Sequence, residues 1–152
     1  MVRLIDVPEP ERSHLAEMAC PTFDTRPWVG GPPLNRRRVA IVSTAGLQRR
    51  GDRPFGFRST EYRVILEDGG DDIVMSHVST NFDRSGFQQD LNVIFPLDRL
   101  RELAADGTIG SVAKYHYSFM GATEPTAFEP VAQELAGLLK EDQVNAVLLA
   151  PI

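Results

Sequence analysis

The run Arg38-Val-Ala-Ile-Val-Ser-Thr constrains the fold of this chain more than any other part of its sequence. Its apolar, β-branched residues favour a strand, and the following Ala45-Gly46 favours a loop. A strand that is apolar at nearly every position is typical of a parallel sheet with both faces covered. The sequence therefore predicts a buried strand near residues 38–43.

Strands and helices alternate along the rest of the chain. Two further strands are predicted near 72–77 and 144–149, and two helices near 96–106 and 130–141. Weaker patterns predict extended segments at 62–66 and 109–117, a helical turn over 85–90 and a loop over 47–60. The alternation predicts an α/β fold, a three-layer sandwich with a mostly parallel sheet.

The first 35 residues lack this periodic pattern. They contain one short helical stretch that begins at Pro10, followed by an irregular segment rich in proline and glycine. We predict that residues 1–35 form an irregular N-terminal arm packed on the core, with Phe23, Trp28 and Val29 as anchors. Residues 36–152 are then a single α/β domain, a size that suits one hydrophobic core.

Composition and charge exclude several classes of protein. The net charge is −5, so there is no overall basic field to hold nucleic acid or an anionic membrane. No apolar stretch precedes Pro8, and no apolar run approaches the length of about 18 residues that a membrane span needs. We expect a cytoplasmic protein without a signal peptide.

Polar residues cluster where the predicted strands end. Because parallel sheets bind ligands at the carboxyl ends of their strands, these residues are the candidate site. They are Ser43, Thr44, His77, Asp83, Arg84, Ser85, His116 and Ser118. A histidine beside a carboxylate and an arginine could move a proton next to an anion clamp. In the alternative interpretation, Asp83 caps a helical turn and His77 satisfies a backbone carbonyl.

The single cysteine, Cys20, excludes an intramolecular disulfide and leaves two interpretations. A lone cysteine is usually a small, inert apolar residue. Beside His77 or His116 it could instead be a thiolate nucleophile, and we predict that the arm brings Cys20 towards the site. An alternative function for the whole protein is that of a metal-dependent lyase or hydrolase that uses His77, His116 and Asp83. The sequence identifies no cofactor.

Several stretches together resemble the B subunits of glycine, sarcosine, betaine and D-proline reductases. The resemblance covers residues 38–152, about three quarters of the chain, and is carried by residues 38–52, 76–77, 82–100, 110–121 and 142–151. The resemblance implies a reductase-B-subunit-like protein that binds a small amine- or amino-acid-like substrate. It also implies a substrate cradle made of the strand-end residues named above. If the chain is an enzyme, we expect Cys20 as its thiol, His77 or His116 as the acid or base, and Arg84 as a carboxylate clamp.

The resemblance further implies a selenocysteine or cysteine directly after the last strand, and a neighbouring chain that supplies a carbonyl cofactor. This sequence ends at Pro151-Ile152 and contains no such residue there, so it resembles a short form without that motif. Two roles follow as expectations. The chain is either an oxidoreductase-like or lyase-like enzyme that depends on a thiol, or a non-catalytic subunit that a second reductase subunit complements. A homo-oligomer is a further expectation.

Overall fold

The computed structural model describes residues 3–17, 22, 24–26, 28–68, 72–79 and 84–152. The strands are β1 (Arg38–Ser43), β2 (Leu47–Arg49), β3 (Tyr62–Leu66), β4 (Ile73–Met75), β5 (Ser111–Val112), β6 (Tyr115–Phe119) and β7 (Ala146–Ala150). The helices are α1 (Glu11–Glu17), α2 (Ser85–Gln89), α3 (Leu97–Ala105) and α4 (Glu129–Glu141). The predicted strands at 38–43 and 144–149 and the predicted helices at 96–106 and 130–141 are confirmed within a few residues.

Strand β1 is the centre of a five-stranded sheet. Strand β7 pairs parallel with it, from Val39 opposite Ala146 to Ser43 opposite Ala150. Strands β5 and β6 also pair parallel with β1, at its beginning and at its end respectively. Since β7 occupies one edge of β1, β5 and β6 share the other edge as one interrupted strand. Strand β3 completes the sheet and runs antiparallel to β6.

Two predictions about strands need correction. The segment 47–60, predicted as a loop, begins with β2, and the strand predicted over 72–77 is shorter and lies outside the parallel sheet. Strands β2 and β4 form a separate antiparallel pair in which Leu47 lies opposite Met75. The reason is Gly46, which has a φ of +64° and turns the chain away from β1. The Ser76 amide then donates to the Gly46 carbonyl at 2.8 Å.

The sheet carries an apolar core on each face. Side chains alternate along β1, so Val39 and Ile41 belong to the core that includes Leu97 and Leu100 of α3. On the other face, Val42 packs against the core built by the residues Tyr117, Phe119 and Leu135. The structure confirms an α/β fold with a mixed sheet that is parallel at its centre. The complete three-layer sandwich stays a prediction.

The arm contributes little to either core among the residues that the structure describes. Helix α1 has no buried residue. Trp28 is 92% exposed and Val29 is exposed as well, so neither side chain is the anchor that we predicted. Phe23, the third predicted anchor, lies outside the described residues, and the division of the chain into arm and domain stays a prediction. Within the described part of the chain, no helix has the length and apolar character of a membrane span.

Candidate functional site

The ends of β1, β6 and β7 meet at one edge of the sheet. The Thr44 amide donates to the Ala150 carbonyl at 3.1 Å, and the Gly46 amide donates to the Phe119 carbonyl at 2.7 Å. The Thr44 hydroxyl accepts from the Ile152 amide at 2.9 Å, which fixes the residues after β7. These three strands run in the same direction, so their carboxyl ends lie at one edge of the sheet, where parallel sheets place their sites.

Two glycines let the segment after β4 approach this edge closely. Gly46 and Gly121 both have positive φ values, +64° and +85°. A Cβ on Gly46 would lie 2.8 Å from the His77 nitrogen, and a Cβ on Gly121 would lie 2.6 Å from the Thr44 carbonyl oxygen and 3.1 Å from His77 Nε2. A side chain at either position would collide with the edge. Thr44, Gly46, His77 and Gly121 therefore form one tight cluster, which we call the strand-end cluster.

Sequence reasoning gave these glycines too little weight. In the sequence, Ala45-Gly46 predicts only a loop, and Gly121 carries no prediction of its own. The available signal is a glycine a few residues after each of two predicted extended segments, which is typical of a turn or a close backbone approach.

His77 is buried at the centre of the strand-end cluster. Its Nδ1 accepts from the Ser79 amide at 3.1 Å, so the neutral ring carries its proton on Nε2, the atom nearest Gly121. Burial and the positive charge of Arg84 lower the pKa of His77 below its ordinary value, although the hydrogen bond from Ser79 opposes them. The imidazole is therefore neutral at pH 7.

Arg84 connects His77 to a neighbouring cleft. One nitrogen of its guanidinium donates to the His77 carbonyl at 3.0 Å and to the Ser79 carbonyl. The same side chain lines a cleft of about 420 Å³ together with Leu47, Ile73, Val74, Met75, Phe87, Gln88 and Leu91. A guanidinium beside a partly apolar cleft can hold the carboxylate of a small molecule. Ser85 begins α2 next to Arg84, and Asp83 lies outside the described residues.

Three of the predicted site residues hold the backbone in place. The fully buried Ser43 hydroxyl donates to the Ile94 carbonyl and accepts from the Ala45 amide, both at 3.2 Å. The fully buried Ser118 hydroxyl accepts from the Leu47 amide at 2.8 Å. The Thr44 hydroxyl holds Ile152, as described above. These contacts explain why hydroxyl side chains follow the strands. A direct contact of these three hydroxyls with a substrate stays a prediction.

His116 lies inside the α3-side core, fully buried. Its Nδ1 accepts from the Ile41 amide of β1 at 2.9 Å, and its ring packs edge-to-face on Phe95 at 5.7 Å between centroids. Nε2 has no hydrogen-bond partner among the described residues. Burial lowers the pKa of His116 to about 4. The structure thus brings His77, Thr44 and Arg84 together, while it keeps the His116 ring in the core. A catalytic role for His116 stays a prediction.

The remaining predictions about the site concern Cys20 and a metal ion. Cys20 lies outside the described residues, so its approach to the site stays a prediction. In the described portion of the chain, no group of three or more His, Cys, Asp or Glu side chains is arranged to hold a metal ion.

Comparison with known proteins defines the class. The model of the glycine/sarcosine/betaine reductase selenoprotein B family matches residues 13–151. This chain belongs to that family, as its sequence predicts. No solved structure matches the chain significantly.

Individual relatives agree with this assignment. The chain is 35% identical over 120 residues to D-proline reductase subunit gamma of Acetoanaerobium sticklandii, a match that covers 76% of this chain and 49% of the relative. It is 30% identical over 149 residues to betaine reductase complex component B subunit beta of Peptoclostridium acidaminophilum, which covers 91% of this chain and 31% of the relative. It is 28% identical over 145 residues to glycine reductase complex component B subunit gamma of Symbiobacterium thermophilum, which covers 90% of this chain and 33% of the relative. The chain thus spans half or less of these relatives' length.

Proposed function

We propose that this chain is the substrate-binding part of a reductase-B-subunit-like protein and takes a small amine- or amino-acid-like molecule at the carboxyl edge of its sheet. The observation that carries the proposal is the strand-end cluster, where Gly46 and Gly121 bring His77 against Thr44 beside Arg84. Membership of the family supports it, because the relatives are named as subunits of glycine, betaine and D-proline reductases.

In this proposal Arg84 binds the substrate carboxylate and the Nε2–H of His77 donates a hydrogen bond to the substrate. Arg84 already lines the cleft of about 420 Å³, which is large enough for a small amino acid. His77 is neutral at pH 7 and carries its proton on Nε2, so it presents a hydrogen-bond donor to the substrate. The backbone of this edge is held by the hydroxyls of Ser43, Thr44 and Ser118. Arg84 is flanked in the sequence by Asp83 and Ser85.

A reductase reaction also needs a nucleophile. The sequence contains one cysteine, Cys20. We propose that a second polypeptide supplies the reacting thiol or selenol and that this chain acts as its complementing subunit. The names of the relatives favour this arrangement, since several are components of a reductase complex. Thiol chemistry by Cys20 is the competing form of the proposal. We further propose, as the sequence predicts, that the protein is cytoplasmic and that its sheet is covered on both faces as a three-layer sandwich.

Calorimetric titration of the purified chain tests substrate binding. We expect D-proline, glycine or betaine to bind, and we expect Arg84→Gln to weaken binding of the carboxylates about tenfold or more, because it removes the charge-assisted hydrogen bonds. The affinity for pyrrolidine, the cyclic amine that lacks the carboxylate, should be the same in Arg84→Gln and in the wild type. Arg99→Gln is the matched control, since Arg99 is an exposed arginine on α3. If Arg84→Gln weakened the binding of D-proline and of pyrrolidine equally, Arg84 would not be the group that binds the carboxylate.

Reconstitution tests the second subunit. C–N bond cleavage should be absent with the chain alone and should appear when a thiol- or selenol-bearing reductase subunit is added. His77→Gln should reduce that activity and leave co-purification of the two chains unchanged. Activity of the chain alone that is lost in Cys20→Ser would favour the competing form.

A further inference from the structure

The outer edge of β7 is open. Among the described residues, β7 pairs only with β1, along one of its two edges. Three consecutive large side chains in its middle are exposed, with Val147 at 40%, Leu148 at 37% and Leu149 at 70%. An apolar edge strand of this kind presents its remaining amides and carbonyls as a template for another strand.

An apolar groove adjoins the same edge. Val147 and Leu149 lie opposite Ala40 and Val42 on β1, so their side chains point to the α4 face of the sheet. There they line a groove of about 350 Å³ whose other walls are Val42, Thr44, Phe119, Phe128, Ala132, Leu135, Ala136 and Leu139. The small side chains of Ala132 and Ala136 leave α4 open to close approach beside the strand edge. Strand edge and groove form one continuous surface.

We propose that this surface binds a second copy of the chain, with β7 pairing antiparallel to β7 of that copy and the two α4 helices covering the grooves. The argument for a second copy is the distribution of charge. A residue close to a twofold axis lies near its own counterpart, so a charged residue there would face a like charge. Residues 143–152 contain no charged side chain at all.

The opposite end of the sheet provides the contrast. Strand β3 is the other end strand, and it carries Arg63 and is flanked by Glu61 and Glu67. Charges on an end strand are the usual protection against pairing with another strand. The chain thus protects β3 and leaves β7 unprotected, which fits an edge that is paired in the assembled protein.

The register follows from symmetry. Placing the midpoint of β7, Leu148, on the twofold axis pairs all five residues of the strand and puts Val147 opposite Leu149 of the second copy. The two Leu148 side chains then lie side by side on the α3 face, since Leu148 lies opposite Ile41 on β1. The two sheets join into one, with the apolar surface buried on both faces.

Sedimentation equilibrium tests the proposal. The wild-type chain should be a dimer, and Val147→Lys should weaken dimerisation about tenfold or more, because it places an ammonium group in the apolar groove. Val64→Lys is the matched control, since Val64 is a valine on the end strand β3 with a similar exposure of 41%. It should leave the dimer intact. Circular dichroism of each variant shows whether it is folded.

A cross-link tests the register independently of folding losses. In a Cys20→Ser background, Leu148→Cys should give a disulfide-linked dimer on non-reducing gels, because directly opposed positions of antiparallel strands bring their Cβ atoms within bonding reach. Val64→Cys in the same background should not. A monomeric wild-type chain overturns the proposal, and so does a dimer that survives Val147→Lys and gives no cross-link. A monomer whose β7 edge instead binds a reductase subunit of different sequence also overturns it.

Discussion

His116 replaces a backbone acceptor in the sheet. The strand beside β1 is interrupted at Ala113 and Lys114, so the Ile41 amide of β1 has no carbonyl opposite it, and His116 Nδ1 accepts its hydrogen bond at 2.9 Å. A buried amide without an acceptor would cost about 1–3 kcal/mol. The imidazole therefore provides one of the hydrogen bonds of the sheet. This role explains why His116, a titratable residue, is fully buried.

This position makes the protein sensitive to acid. The pKa of His116 is about 4 in the folded protein and 6.5 in the reference state, so the unfolded chain binds the proton more readily. Its contribution to stability is complete above pH 6.5 and is lost as the pH falls from 6.5 to 4, by about 3 kcal/mol in total. Urea unfolding at a series of pH values measures this loss as a falling free energy of unfolding.

His116→Asn isolates the contribution of this ring. The asparagine oxygen can accept from Ile41 as Nδ1 does, but it does not titrate. The variant should therefore have a shallower pH dependence than the wild type between pH 6.5 and 4. His14→Asn, which replaces an exposed histidine on α1, should keep the wild-type slope. Parallel pH profiles for the wild type and His116→Asn would show that the ring titrates normally.

Gly121 allows a prediction about the strand-end cluster. Gly121→Ala adds a Cβ to a residue with a φ of +85° and directs it at the Thr44 carbonyl, 2.6 Å away. Gly107→Ala has the same conformational cost, since Gly107 has a φ of +79°, but its Cβ meets nothing within 4 Å. We expect a loss of about 1–2 kcal/mol for Gly107→Ala and about 3 kcal/mol or more for Gly121→Ala. Equal losses in chemical denaturation would mean that the close approach to Thr44 and His77 does not exist.

At the scale of elements, Asp142 joins α4 to both parts of the interrupted strand. Its carboxylate accepts from the Arg38 guanidinium at 2.6 Å, from the Lys114 amide at 2.9 Å and from the Tyr115 amide at 3.3 Å. Burial alone would raise the pKa of Asp142, but these hydrogen bonds together lower it. One side chain at the end of α4 thus satisfies the amides that the break between β5 and β6 exposes.

Replacing this carboxylate should loosen the break. Asp142→Asn leaves Arg38 without its ion pair, and the new amide cannot accept from all three donors, so we expect a loss of about 2–3 kcal/mol. Glu141→Gln is the matched control, because Glu141 is the adjacent acidic residue and its side chain is exposed. This substitution should change the free energy of unfolding by less than about 0.5 kcal/mol. Hydrogen exchange of the Lys114 and Tyr115 amides should accelerate in Asp142→Asn alone. Unchanged exchange there would contradict the role of Asp142.

The sequence predicts elements better than it predicts their pairing. Helices α3 and α4 and strands β1 and β7 follow from local periodicity, and each is found where the pattern indicates. The partner of β4 does not follow from local pattern, because a three-residue strand pairs equally well in either direction and the left-handed turn at Gly46 decides which. The same limit applies to the site. His77 and His116 are indistinguishable as strand-associated histidines in the sequence, and only the register places one at the edge and the other in the core.

At the scale of the whole molecule, the two cores and the arm differ in how far their side chains are buried. The cores are built by residues from β1 onwards, whereas the described residues of the arm are almost all exposed. The family match begins at residue 13, within the arm. Conformational stability should therefore reside in residues 36–152, the domain predicted from the sequence.

Removal of residues 1–30 tests this division. Because helix α1 has no buried residue and Trp28 is 92% exposed, the shortened chain should lose less than about 1 kcal/mol of its free energy of unfolding in urea. Trp28→Ala should be neutral for the same reason, and both chains should keep the circular dichroism of the wild type. Phe95→Ala is the comparison, since it empties a fully buried site in the α3-side core and should cost about 3–5 kcal/mol. A loss of several kcal/mol on removal of the arm would instead show that the arm packs on the core, as the sequence predicts, through residues other than Trp28 and Val29.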